Sequence, residues 1–221
     1  MLLYIFLLLG TWTSVLGKDD KCRESRYHVC PLPDGWGFPK TMADLEQICP
    51  GFIQTIDCMK DHLKKCNPED NLRRRYLQNL GDVTKDACDK DSQLHLRIVQ
   101  NIDCFNEVVQ NDSKTCYKGI DKKTGEMMKH IQKTEAEKGI NNELWESFQC
   151  VLSSFEVLCY ATKSSERCGS DAENLVLELN RRSGYAHHCQ SASGESLAEL
   201  LALFELEPED EASLKRIMGR E

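Results

Sequence analysis

The sequence lacks the short motifs that mark common catalytic and metal-binding sites. Its 221 residues contain no C-x-x-C pair of a structural zinc site and no G-x-S-x-G nucleophile turn. They also contain no phosphate-binding P-loop and no dinucleotide-binding glycine pattern. We therefore single out no catalytic, cofactor-binding or metal-binding residue, and we predict that the protein is not an enzyme.

Basic residues are also fewer than acidic residues. The chain has 28 lysines and arginines against 36 acidic residues, which gives a formal net charge of -8. Such a chain does not carry the general positive field that holds nucleic acid or anionic membranes. The one basic cluster, Arg73–Arg75, is interpreted as the solvated face of a helix, with a contact to a sulfated glycan or cleavage by a processing protease as the alternatives.

Long apolar runs are absent after the first residues. Residues 1–17 carry no charged side chain and are mostly apolar, with Val15 and Gly17 as small residues for cleavage. This pattern is typical of a secretory signal peptide, and the run is short for a membrane anchor of about 20 residues. We expect a mature chain from Lys18 that is secreted into the extracellular space without stable membrane insertion.

Cysteine, in contrast, is abundant, with 12 in the chain. An even number of cysteines in a secreted protein predicts disulfide bonds, because the extracellular compartment is oxidising. We expect six bridges and no free thiol, and we leave the pairing open. The cysteines concerned are Cys22, Cys30, Cys49, Cys58, Cys66, Cys88, Cys104, Cys116, Cys150, Cys159, Cys168 and Cys189.

The intervals between these cysteines repeat along the chain. Four cysteines from Cys49 onward are separated by 9, 8 and 22 positions, and four from Cys150 onward by 9, 9 and 21. The repetition predicts two similar units, at about 45–88 and 144–189. The two cysteines between these sets form either a degraded unit or a bridge between the halves.

Hydrophobic periodicity predicts that these units are helical. Apolar residues recur at steps of three and four in the stretches 45–63, 94–109 and 144–158, and no stretch shows sustained alternation. The fold class predicted is therefore all-α, a helical bundle stapled by disulfides. Pro50-Gly51 is expected to bend or split the first helix, because proline removes a backbone hydrogen bond.

Helix geometry limits how the cysteines can pair. Cys150 and Cys159 lie about 13.5 Å apart along a continuous helix, whereas a disulfide joins Cα atoms roughly 4.4 to 6.8 Å apart. Nine residues span two and a half turns, so the two sulfurs leave opposite faces toward different neighbours. The helix predicted at about 142–160 is therefore expected to be central.

The chain divides into four segments by composition. We expect the signal peptide 1–17, an irregular segment 18–40, the disulfide-rich helical domain 41–189 and an acidic C-terminal helix or tail 190–221. The tail is interpreted as a last helix packed on the bundle. Its dibasic Lys215-Arg216 leaves a detachable segment as the alternative.

The cysteine succession from Cys49 to Cys189 resembles a widespread family of secreted, helical, cysteine-rich arthropod proteins. The resemblance includes Asp57-Cys58 and Arg167-Cys168-Gly169, and it covers about two thirds of the chain. It implies a helical fold and an extracellular location, but no mechanism, because the family has no assigned activity. Relatives often carry an adjacent cysteine pair where this chain has Gln149-Cys150.

Three histidines and one sequon are the remaining candidate sites in the sequence. His62 follows Asp61, the reverse of the order in secreted phospholipases, and is interpreted as a solvated helix residue. His187-His188 has no ligand partner at i+4. Asn111, near the end of a predicted helix, begins the only Asn-x-Ser/Thr sequon and is a candidate N-glycosylation site.

The sequence leaves three non-enzymatic functions open, with a hydrolase as a further alternative. The first is a non-enzymatic extracellular protein that binds an unknown protein or small ligand in a fluid such as haemolymph, saliva or venom. The second is a venom toxin that acts on a receptor or ion channel. The third is a helical carrier of a small apolar ligand, which requires an apolar cavity of about 300 Å³ or more. The Cys-x-x-x-Cys step of insect odorant-binding proteins, which are such carriers, is absent from the sequence and counts against this function.

Overall fold

Helices make up most of the described chain, and this confirms the predicted all-α class. The computed structural model describes residues 22, 24, 26–33, 39–139, 142–203, 206 and 208–219, and these ranges contain no strand. The predicted signal peptide lies outside the described residues. The helices are α1 (Arg26–Val29), α2 (Met42–Cys66), α3 (Asn71–Cys88), α4 (Gln93–Lys138), α5 (Asn142–Cys168), α6 (Ser170–Ser183), a 3₁₀ turn (His187–Gln190), α7 (Gly194–Ala202) and α8 (Pro208–Ile217).

Side chains that accept hydrogen bonds from free backbone N–H groups start several of these helices. Thr41 and Asp44 form a capping box at the start of α2, in which each side chain accepts from the other's backbone N–H. Ser92 caps α4 by accepting from the N–H of His95. A short helix, α1, lies within the segment 18–40 that was expected to be irregular.

Pro50 does not split α2, which excludes one of the two predicted outcomes, a bend or a split. The helix runs unbroken from Met42 to Cys66. Pro50-Gly51 lies where the N-terminal segment crosses the helix, and a Cβ built on Gly51 would lie 2.6 Å from the Cβ of Pro33. The hydroxyl of Thr55 also donates to the carbonyl of Pro31, at 2.8 Å. Contacts with the N-terminal segment therefore stabilise α2 at the turn where proline removes a backbone hydrogen bond.

The buried apolar residues form two clusters. The first core lies among α2, α3, the N-terminal part of α4 and α6, and contains Leu45, Cys49, Val83, Leu94, Ile98, Phe105, Ala172 and Leu175. The second core lies among the C-terminal part of α4, α5, the 3₁₀ turn, α7 and α8. Its buried members are Met127, Ile131, Leu144, Phe148, Cys150, Val151, Cys189, Ala192, Leu197, Leu200, Leu214 and Met218.

Two helices connect these cores. The 46 residues of α4 extend over about 69 Å and supply side chains to both. The helix α5 packs against α4, α6, α7, α8 and the 3₁₀ turn, so the prediction of a central helix is confirmed. The segment 190–221 forms α7 and α8, which pack on α5. No helix in the described ranges is both long and apolar enough to cross a bilayer.

All twelve cysteines lie in the described chain and all are bridged, as predicted. In each half the first of six cysteines pairs with the fifth, the second with the fourth and the third with the sixth. Cys104 and Cys116 form neither a degraded unit nor a bridge between the halves, contrary to both expectations, and take the first two places of the second half. The bridges are Cys22–Cys66, Cys30–Cys58 and Cys49–Cys88, and then Cys104–Cys168, Cys116–Cys159 and Cys150–Cys189.

Candidate functional site

An apolar cavity of about 470 Å³ lies where α3, α4, α5 and α6 meet. It lies beside the first core, which contributes Val83 and Phe105 to the wall, and includes side chains from both disulfide-bonded halves. Most of its wall is aliphatic or aromatic. The lining residues are Leu80, Val83, Phe105, Val108, Val109, Glu156, Val157, Tyr160, Ser164, Val176, Leu179, Asn180, Ser183 and Tyr185.

Two buried valines explain why space remains between the helices. Val108 on α4 is 2% exposed and Val157 on α5 is 6% exposed, yet neither belongs to the first or the second core. Both side chains line the cavity instead. Valine is short, so these positions on facing helices leave room that longer side chains would fill.

Two polar atoms in the cavity wall are buried without a hydrogen-bond partner in the described part of the chain. They are the hydroxyl of Ser164 on α5 and the side-chain oxygen Oδ1 of Asn180 on α6. Buried polar groups in native proteins are nearly always hydrogen-bonded, so each exception calls for an explanation. A third such atom, the hydroxyl of Ser147, belongs to a residue that does not line the cavity.

Two further polar residues, Tyr185 and Glu156, meet at the rim. The phenol of Tyr185 donates a hydrogen bond to the Glu156 carboxylate at 2.5 Å. Burial of the phenol raises the pKa of Tyr185 above its ordinary value, and the bond to Glu156 raises it further. Tyr185 therefore stays neutral and remains a donor to Glu156 throughout the physiological pH range.

Ion pairs hold three of the cavity helices together. Arg182 on α6 bonds Asp86 on α3 at 2.5 Å, and also lies 3.4 Å from Glu178 of its own helix. Glu178 in turn pairs with Arg97 on α4. The hydrogen bond from Arg182 holds the pKa of Asp86 below its usual range, so this carboxylate is ionised at neutral pH. The network fixes α3, α4 and α6 relative to one another.

A larger depression of about 930 Å³ lies along α2, but its chemistry is different. Its wall includes the charged residues Asp57, Asp61 and Lys90, all of them exposed, together with the Cys49–Cys88 bridge. Exposed charges of both signs suit neither an apolar ligand nor a desolvated reaction centre.

Of the candidate site residues singled out in the sequence, none whose side chain the structure describes lines the apolar cavity. His62 is half-buried, with its Nε2 3.6 Å from the Cys66 sulfur. Arg73 pairs with Asp70, and the side chains of His187-His188 lie outside the described ones. In the described ranges no three His, Cys, Asp or Glu side chains are grouped so that they could hold a metal ion.

Asn111 lies within α4 and not near its end, because that helix continues to Lys138. Its side chain is exposed, as a glycan would require. The next residue, Asp112, pairs with Arg167 of α5 at 2.5 Å. Asn111 lies on the helix that also supplies Val108 and Val109 to the cavity wall.

The cavity residues were not predicted as a site from the sequence. Val109 belongs to an apolar helix stripe in the sequence, and such a stripe does not show whether a side chain meets another helix or a cavity. Ser164 and Asn180 carry no motif at all. Comparison with known proteins adds no further guide, because no protein-family model, curated protein or solved structure matches this chain.

Proposed function

We propose that this chain is a secreted, non-enzymatic carrier that holds a small, mainly apolar ligand among α3, α4, α5 and α6. The observation that carries the proposal is the cavity of about 470 Å³ with its mostly apolar wall. Pockets for small ligands occupy about 300 to 1,000 Å³ and combine an apolar lining with a few polar groups. Ser164, Asn180 and the pair Tyr185 and Glu156 are the polar groups in this wall.

The bridges support an extracellular site of action. Six disulfides form and persist in oxidising compartments and are rare in the cytosol. Of these, Cys104–Cys168 and Cys116–Cys159 tie α4 to α5, two of the helices that form the cavity wall. A cavity constrained in this way keeps its shape when empty, which lowers the entropic cost of binding a ligand.

Ligand binding can be measured with the chain from Lys18 onward, oxidised until it shows no free thiol. The fluorescent probe 1-N-phenylnaphthylamine is expected to bind with saturation at one site per chain, because its two apolar ring systems suit the cavity. Dodecan-1-ol is expected to displace the probe and to be recovered chemically unchanged. Failure of the probe to saturate on the fully bridged protein would refute the carrier proposal, and conversion of the alcohol would refute its non-enzymatic character.

Secretion and glycosylation can be checked together by expressing the full chain in insect cells. The protein is expected in the medium, and digestion with an N-glycosidase is expected to lower its mass by one glycan. The Asn111→Gln variant is expected to lack this shift, whereas the control Ser113→Thr keeps the sequon and the shift. Retention of the wild-type chain inside the cells contradicts secretion, and an unchanged mass contradicts glycosylation.

A further inference from the structure

The two unpartnered atoms in the cavity wall specify the ligand more closely. We propose that the ligand carries a hydroxyl group on an apolar body and that this hydroxyl binds Asn180 and Ser164. This inference rests on the proposed carrier function. It concerns the polar end of the ligand, which the apolar wall alone does not define.

The end of α6 holds Asn180 in place beside the cavity. Its backbone carbonyl accepts hydrogen bonds from the N–H of Gly184 at 3.0 Å and from the N–H of Tyr185 at 3.3 Å. The hydroxyl of Ser183 donates to the same carbonyl at 3.2 Å. The backbone of Asn180 is therefore well fixed, while its buried Oδ1 has no donor among the described residues.

Ser164 is the second fixed polar point. It is 0% exposed and lies on α5, next to α6 in the bundle. The hydroxyl of a serine inside a helix commonly donates a hydrogen bond to the backbone carbonyl one turn earlier. The Ser164 hydroxyl forms no such bond within the described chain. Its hydroxyl can both donate and accept a hydrogen bond, whereas Asn180 Oδ1 only accepts.

Complementarity with these two groups selects among ligand classes. A hydroxyl has one donor for Asn180 Oδ1 and lone pairs for the Ser164 hydroxyl, so it carries the hydrogen-bonding groups that both atoms lack. An ether or ester offers acceptors only and leaves Asn180 Oδ1 unpaired. A carboxylate is also an acceptor, and it would share the cavity with the acidic side chain of Glu156.

The volume limits the apolar body. One water molecule, which has a single non-hydrogen atom, occupies about 30 Å³ in the liquid. A cavity of about 470 Å³ therefore has room for on the order of 16 non-hydrogen atoms. A neutral alcohol with a chain of about 12 carbons has 13 non-hydrogen atoms and fits this space. Dodecan-1-ol is therefore a suitable probe of the inference.

The decisive experiment compares dodecan-1-ol with its isomer 1-methoxyundecane, which has the same atoms but no hydrogen-bond donor. The alcohol is expected to displace 1-N-phenylnaphthylamine at about tenfold lower concentration than the ether, because one buried bond to Asn180 is lost. The alcohol is more strongly hydrated in water, so water solubility alone predicts the opposite order. Dodecanoic acid is expected to displace the probe less well than the alcohol.

Variants assign this preference to the two residues. Asn180→Leu is close in shape to the native residue and is expected to bind the alcohol and the ether within about twofold of each other. Ser164→Ala is expected to weaken alcohol binding by about threefold or more. The matched control is Ser147→Ala, which removes another buried, unpartnered hydroxyl outside the cavity and is expected to keep the tenfold preference. Thermal unfolding of each variant checks that the fold is retained.

The outcomes separate this inference from the carrier proposal. Equal displacement by alcohol and ether on a protein that binds the probe overturns the hydroxyl assignment and leaves the carrier intact. Stronger displacement by dodecanoic acid also overturns it. A tenfold preference that persists in Asn180→Leu overturns the role of Asn180. Absence of any probe binding refutes the carrier proposal itself.

Discussion

Replacing Cys150 and Cys189 together by alanine is expected to lower the free energy of unfolding by about 5 kcal/mol. The bridge joins residues 39 positions apart. Closing a loop of that length lowers the conformational entropy of the unfolded chain, which raises the free energy of the unfolded state by about 4 kcal/mol. Cys150 is 0% exposed and Cys189 is 3% exposed, both within the second core. Removing two buried sulfurs leaves a cavity that costs about 1 kcal/mol more.

The duplicated pairing provides a matched comparison for this prediction. The Cys49–Cys88 bridge has the same separation of 39 residues and the same place in the first half. Cys49 is buried but Cys88 is only half-buried, so the double alanine variant at this bridge is expected to lose between about 4 and 5 kcal/mol, slightly less than at Cys150–Cys189. Denaturant unfolding followed by helical circular dichroism measures both losses. A loss below about 1 kcal/mol at either bridge, or a larger loss at Cys49–Cys88, contradicts this account.

Much of the scaffold could be predicted because helices impose strict spacing. The steps of three and four from Leu144 to Leu158 predicted the helix that became α5. The interval of nine residues predicted that Cys150 and Cys159 point to different neighbours. The structure confirms this, since Cys150 bonds Cys189 beyond α6 and Cys159 bonds Cys116 on α4.

The order of pairing could not be predicted, for a physical reason. Twelve cysteines permit on the order of ten thousand pairings, and intervals constrain only those that share one helix. Cys104 and Cys116 lie on α4, whereas their counterparts Cys22 and Cys30 lie on either side of the four-residue α1. The two halves therefore repeat their bridges on different local structures, and the spacing of the first two cysteines does not repeat.

Pro50 shows the limit of a local rule. Proline removes one hydrogen bond from α2, and residues distant in the sequence decide whether the helix continues. Here the bridges at Cys49 and Cys58 lie on either side of Pro50, and the N-terminal segment packs at Gly51. None of these contacts can be deduced from the helix sequence. The cavity could not be predicted for the same reason, because its wall is formed by contacts among four helices that the sequence of a single helix does not show.

Filling the cavity from within should abolish ligand binding. Val157→Trp is expected to place an indole ring among the lining side chains of α3, α4 and α6, because Val157 is buried and faces the cavity. If about 100 Å² of apolar ligand surface then stays in water, affinity falls by about 2.5 kcal/mol, or roughly seventyfold. Titration with 1-N-phenylnaphthylamine measures the change.

The control for this variant is Val99→Trp. Val99 lies on α4, half-buried against the first core, and does not line the cavity. The same enlargement there is expected to cost about 1 to 3 kcal/mol of stability through overpacking while probe affinity stays within about twofold. Val157→Trp is expected to show the reverse, a small change in stability with a large loss of binding, because the ring enters existing space. Probe binding that survives Val157→Trp in a folded protein would place the ligand elsewhere.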